Sequence, residues 1–238
     1  VHHWGEVHNG KIYLPGRKFI PVPNEFSGLF ELSSYSHCEH YPTWSETIEV
    51  FSLDDGKHLQ TIEILPLLSQ SPDAGFARYL NDCQDPLHLN DVQILRFEHR
   101  SFFPEGKEGD MLISMRSINT LALLDKDNGR LKWSSSLFQA QHSPRITNYG
   151  TILVFDNRAS NAEHGATRIT ELDIATQKIV GIWEGTETTG KFESKYAGRI
   201  QLVDDRIFVQ ESTRGRLFQV MCAKRPISLQ CQKTMILE

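Results

Sequence analysis

Short runs of alternating apolar and polar residues, closed by Gly, Asn, Asp or Pro, fill most of this chain, and that alternation predicts strands and hairpins. Four segments superimpose: "HWGEVHNGKIYLPGR" from His3, "HLNDVQIL" with a later "GDMLISMR" from His88, "HSPRITNYGTILVFDNR" from His142, and "YAGRIQLVDDRIFVQES" from Tyr196. In each, a β-branched residue (Val7, Val92, Ile146, Ile200) opens a strand behind a polar one (Glu6, Asp91, Arg145, Arg199). Turns such as "HNGK" and "NYGT" lead to a second strand, and "RFEHRSFFPEGKEG" interrupts the second copy. Three copies continue with a second hairpin whose first strand ends in Leu-Asp: "FSLDDGKHLQ", "LALLDKDNGRLKW" and "ITELDIATQKIV".

Four strands per copy at a period of about 50 residues describe one blade of a β-propeller. The prediction is an all-β single domain over residues 1–238, with blades near 2–66, 86–137, 140–185 and 193–238. A short helix is admitted only between Pro66 and Pro86. In a propeller the first strand of each blade lines a central channel, so equivalent positions converge. Four positions before each opening residue stand His3, His88, His142 and Tyr196. The expectation is that the imidazoles share one pocket.

The net charge of −5 and the pI near 6.1 disfavour broad binding to nucleic acid or an anionic membrane. No apolar run approaches the roughly 20 residues of a membrane helix. The chain opens on Val1 and is expected to be part of a longer protein. Its four cysteines, Cys38, Cys83, Cys222 and Cys231, permit two disulfides or four free thiols.

Three blocks resemble the arylsulfotransferase family, β-propeller enzymes that move a sulfuryl group between phenols without a nucleotide sulfate donor. They are "DPLHLNDVQIL" with "GDMLISMRSINTLALLDKDNGRLKW", "QHSPRITNYGTILVFDNR" with "TRITELDIATQKIV", and "GRIQLVDDRIFVQESTRGRLFQV". The resemblance implies about six blades, so some would lie outside this chain. It implies active-site roles for His88, His142 and Asn157, and Arg158 lies near a family arginine. Arg116 is kept from an Arg-His pair, with Ser117 in the histidine's place, and no histidine follows His164.

Such chemistry needs a neutral imidazole to attack sulfur, a second group for the phenol proton, and donors for the sulfuryl oxygens. The expected catalytic set is His142, His88, Arg158 and Asn157; His3, Asn90, Arg116 and Tyr196 are expected to bind substrate. His142 is base or nucleophile, His88 its partner, and Arg158 with Asn157 the oxyanion clamp. The expected substrate is a small phenol or aryl sulfate ester, with no cofactor and no metal. The alternative is a catalytically inactive propeller that binds a protein partner. The resemblance also implies a periplasmic or extracellular setting, or a membrane anchor outside this chain.

Other clusters point elsewhere. The three histidines, with Glu6 or Asp91, have the chemistry to hold a divalent ion, and so do His37, Cys38 and His40 in "SHCEHYP", where a solvated loop is preferred. "GTETTGKF" matches a phosphate loop except for Phe192 in the hydroxyl position, and reads as an inter-blade turn. Arg214 and Arg216 are assigned to a solvated hairpin, and Trp4, Trp44, Trp133 and Trp183 to packing between blades.

Overall fold

The computed structural model describes residues 3–21, 42–69, 71, 82–158, 167–186, 190–191, 193–203, 206–222 and 231–237. The chain divides into two compact units: Val1–Arg100 with Pro104–Ser136, and Ser101–Phe103 with Leu137–Glu238. Each contains two four-stranded antiparallel sheets, the blades of an all-β propeller fold.

In the first unit, one blade is β1 (Glu6–His8), β2 (Lys11–Ile20), β3 (Thr43–Ser52) and β4 (His58–Glu63). The next is β5 (Leu89–Ile94), β6 (Met111–Met115), β7 (Thr120–Leu124) and β8 (Leu131–Ser135). The helix α1 (Ile64–Ser69) lies between them in sequence, and a 3-10 turn (Phe97–Phe102) occupies the insertion of the second copy. The second unit holds β9 (His142–Ile146), β10 (Thr151–Asp156), β11 (Arg168–Asp173) and β12 (Lys178–Trp183). After the short pair β13 (Gly185–Thr186) and β14 (Gly190–Lys191) come β15 (Arg199–Val203), β16 (Arg206–Glu211), β17 (Arg216–Cys222) and β18 (Cys231–Leu237). Every blade is a meander of neighbouring strands, as short turns demand.

Strict alternation of burial is kept at β8, whereas β5, β6, β7 and β10 are buried at every residue. Strands covered on both faces bury both sets of side chains. In the first unit Ile48, Val50, Leu89, Val92, Ile113 and Leu124 belong to one core, into which α1 inserts Ile64, Leu65 and Leu68. In the second, Phe155, Ile169 and Trp183 pack with Ile200, Val209 and Phe218. Gly198 is required there, because a Cβ would lie 2.2 Å from the Phe155 ring. Trp133 and Trp183 are buried as expected, but Trp4 and Trp44 are 49% and 39% exposed; Trp44 meets Phe19 edge-on.

First strands of consecutive blades touch within each unit. Trp4 forms a parallel bridge with Asp91 beside β1 and β5. In the other unit the Ser143 hydroxyl donates to the Ile200 carbonyl and accepts from the Ile200 N–H, at 3.2 and 3.0 Å.

The Leu-Asp turns share one device. The Asp125 carboxylate accepts from the N–H groups of Asp127 and Asn128, and Asp173 from that of Thr176. Four residues on, Gly129 and Gln177 take positive φ. In the first blade the matching residue is Ser52, not Asp54: Gly56 donates to the Ser52 carbonyl as Gly129 does to that of Asp125. A bulge also recurs between the third and fourth strands of all four blades, at Val50/Phe51, Leu123/Leu124, Glu171/Leu172 and Met221/Cys222.

Cys83 is disulfide-bonded, which removes the free-thiol alternative for it. Cys222 and Cys231 stand opposite each other in the β17–β18 register.

One buried ion cluster closes the second blade. The Lys132 ammonium lies 2.7 Å from Asp110 and 2.8 Å from Asp125, and all three side chains are almost wholly buried. Removing one partner strands the opposite charges without water. Lys132→Met is expected to cost roughly 3 kcal/mol, measured as a lower urea midpoint with unchanged slope. A midpoint equal to wild type would show that the cluster contributes nothing.

Candidate active site

In the first unit the chain gathers five polar side chains from four places. Asp82 starts the assembly: its carboxylate accepts from the Gln84 and Asp85 N–H groups, and the Gln84 carbonyl accepts from Trp44 N–H at the start of β3. Asp85 is thereby set beside the sheet, three residues before His88. The backbone at His88 is left-handed, with φ of +50°. Histidine visits this region more readily than most residues, and strain of this kind concentrates at functional sites. Two bonds hold it: Arg116 N–H to the His88 carbonyl at 3.1 Å and Ser117 N–H to that of Leu87 at 3.0 Å.

His88 Nδ1 lies 2.5 Å from Asp85 Oδ2, and His88 Nε2 lies 3.4 Å from His3 Nε2. The Arg17 guanidinium donates to Asp85 Oδ2 at 3.1 Å, is 3.1 Å from His88 Nδ1, and reaches Glu46 Oε1 at 3.3 Å. Gly16 brings β2 close enough, since a Cβ there would sit 2.6 Å from Thr47 Oγ1. Burial pushes the Asp85 carboxyl up, but the hydrogen bond from His88, the nearby charges of His88 and Arg17, and a contact from Glu46 outweigh it and bring it down to about 2. An ionised carboxylate only accepts. A proton therefore sits on His88 Nδ1, directed at Asp85, and the Nε2 side of the ring faces His3 Nε2. On Glu46 burial prevails, pushing it to about 9; Arg17 opposes that rise and the Asp85 charge reinforces it.

The second unit repeats this logic with a neutral partner. Both amide hydrogens of Asn157 are committed, to the carbonyls of Ser194 at 2.6 Å and Ala197 at 3.1 Å. Its oxygen accepts from His142 Nδ1 at 2.8 Å, and the Ala140 carbonyl lies 3.1 Å from the same nitrogen. Two acceptors on Nδ1 place the proton there and a lone pair on Nε2. His142 is the first residue of β9, opposite Phe155, and is 4% exposed. With its amide committed, Asn157 orients His142 rather than clamping an oxyanion.

The remaining expected residues fall as follows. Asn90 is buried in the β5 bulge between Leu89 and Asp91. Arg116 is partly buried and, among the described residues, pairs with no carboxylate; its Nε is buried. Arg158 takes a positive φ and its N–H donates to the Gln139 carbonyl. Tyr196 is 72% exposed. The structure thus brings His3 to His88, and His142 to Asn157. No group of metal-binding side chains is found among the described residues. His37, Cys38, His40 and His164 lie outside them. Asp85, Arg17 and Glu46 escape sequence reasoning. Only Asp85 carries a signal, its place three residues before a candidate imidazole.

Two of the four propeller blades thus carry, at the head of the first strand, an imidazole held at Nδ1. The family model for arylsulfotransferase (ASST) matches residues 27–225, and the chain belongs to that family. No curated protein matches the chain. Among solved structures it is similar to a protein of unknown function from Bacteroides caccae, at 12% identity and a TM-score of 0.48 over 82% of this chain. It is also similar to BamB from Moraxella catarrhalis, at 8% identity and a TM-score of 0.42 over 97% of this chain. It spans 62% and 47% of those two proteins.

Asp85 yields a pH-dependent prediction. Its carboxyl is held below its ordinary value, so its contribution is present above about pH 4 and lost as pH falls toward 2. Asp85→Asn is expected to be destabilised at pH 7 by about 1–3 kcal/mol, with the gap from wild type closing between pH 4 and 2. Urea unfolding of both proteins across that range measures it; a constant gap would refute the Asp85–His88 pair.

Proposed function

We propose that the protein transfers a sulfuryl group from an aryl sulfate to a phenol. Membership of the arylsulfotransferase family supports aryl substrates at the level of class. The observation that carries the reading is His88, an imidazole fixed at Nδ1 by an ionised Asp85 with its Nε2 side turned toward His3.

Each unit offers one imidazole held at Nδ1, and the two differ in the partner that holds them. Asp85 places a negative charge behind the ring that takes a proton at Nε2, so positive charge developing on His88 meets a fixed anion. Asn157 is neutral and engages His142 at Nδ1, which leaves Nε2 as the nitrogen to attack sulfur. In the first half-reaction an imidazole lone pair forms an N–S bond while the S–O bond to the donor breaks, and the phenolate leaves into solvent, from which it takes any proton it needs. In the second, the acceptor phenol gives its proton to an imidazole as its oxygen takes the sulfur and the N–S bond breaks. Arg116, in the same unit as His88, is the guanidinium donor this reading assigns to the sulfuryl oxygens. The disulfide at Cys83 favours a periplasmic or extracellular setting.

A coloured phenyl-sulfate donor with phenol as acceptor tests this. Coloured phenolate is expected to appear at a rate that depends on the acceptor. His88→Ala and His142→Ala are each expected to lower kcat by about 100-fold or more. Undiminished transfer by either variant would remove that histidine from the reaction.

A further inference from the structure

The seam between the first two blades carries a second group of polar side chains, at the end away from His88. Strand register builds its first wall. His8 stands opposite Lys11, and Tyr13 opposite Val50, which in turn faces Gln60. Directly paired residues of neighbouring strands share a face. These side chains therefore lie on the face of the first blade that sends Ile48 and Val50 into the core. That face is apolar at its middle and turns polar toward the β1–β2 turn.

A cavity of about 380 Å³ opens there, within one compact unit. Its other wall is Glu108, Gly109 and Met111 at the entry to β6, with Lys126 from the turn after β7. Met111 pairs with Ile94, the far end of β5 from Leu89, so roughly 17 Å of strand separates this wall from the His88 end. Gly109 takes a φ of +93°, and a Cβ on it would stand 2.8 Å from Lys126 Cδ and 3.8 Å from Nζ. The glycine thus lets the lysine stem lie against the β6 entry, with its ammonium at the cavity wall. The acids of these strands and turns are engaged elsewhere. Glu108 lies 3.7 Å from His8 across the seam, Glu6 pairs with Arg96 at 3.1 Å, Asp127 is 3.9 Å from Lys107, and Asp110 and Asp125 hold Lys132. Among the described residues no carboxylate pairs with Lys11 or Lys126.

We propose that this cavity binds a small organic anion, one acidic group on an apolar body the size of a single ring. Lys11 and Lys126 bring one ammonium from each wall, and each ammonium is a compact charge with three donors for the acidic group. Burial raises the Tyr13 phenol above its ordinary value, so its hydroxyl keeps its proton and remains a donor. Tyr13 and Ile62 pack against the core, and with Met111 they offer the apolar surface for the body. A thioether and a phenol ring favour an aromatic body. The volume falls in the range of small-molecule sites, and such sites combine apolar walls with a few placed polar groups. The site is separate from His88 and stands whether or not transfer occurs there.

Benzoate, which has no sulfuryl group to transfer, tests the idea, with amide NMR of the nitrogen-15-labelled protein as the readout. It is expected to shift the Asn9, Gly109 and Lys126 signals saturably and to leave those of His88 in place. Benzyl alcohol lacks the charge and inorganic phosphate lacks the body, and each is expected to bind at least about tenfold more weakly. Lys11→Met combined with Lys126→Met keeps both stems and removes both charges. Both lysines are exposed, so this double variant is expected to keep the wild-type Tm. Its affinity for benzoate is expected to fall about tenfold. His88→Ala is expected to bind benzoate as wild type does, which separates this outcome from the fate of the transfer reading. No saturable shift, an unchanged affinity in the double variant, or phosphate binding as tight as benzoate would each overturn the proposal. Shifts confined to His3 and His88 would place benzoate in the other site and overturn it too.

Discussion

The lateral contact between first strands of consecutive blades is the constraint on which the site depends. A blade by itself offers one imidazole at the head of its first strand. In the first unit, the Trp4–Asp91 bridge brings a second blade's leading strand alongside, so His3 and His88, far apart in the chain, stand at hydrogen-bonding distance. The second unit makes the same lateral contact through the Ser143 hydroxyl, which serves the Ile200 backbone as both donor and acceptor. Apolar packing brings the sheets together without fixing their slide. These directional bonds fix it, and with it the separation of the rings.

The molecule holds two solutions to one problem. An imidazole acts at one nitrogen only if the other is occupied by a partner that settles the tautomer. For His88 the partner is a carboxylate, itself held by a cation. For His142 it is an amide with both hydrogens already committed to carbonyls, so it has only its oxygen to offer. The neutral partner needs no cation nearby. The charged one does, and that need accounts for Arg17.

The sequence displays the parts that repeat. Alternating residues and recurrent turns made the blades legible, and the fixed offset of the histidines marked the heads of the first strands. What does not repeat stayed hidden. Arg17 and Glu46 lie at neighbouring register positions on β2 and β3, but nothing in the chain announces that Glu46 is fully buried. Asp54 matched the Leu-Asp pattern while Ser52 holds the equivalent place, because a hydroxyl caps the turn as well as a carboxylate does. Trp4 and Trp44 were assigned to packing by residue type alone, and their exposure reflects ends of strands that a pattern of apolar positions does not resolve.

The left-handed backbone at His88 limits how this site drifts over evolutionary time. A β-branched or bulky side chain is disfavoured at that dihedral, whereas Asn and Gly adopt it readily. Lineages that abandon the chemistry but keep the blade would therefore pass through asparagine or glycine at this position, leaving the loop's path as a fossil of the lost imidazole.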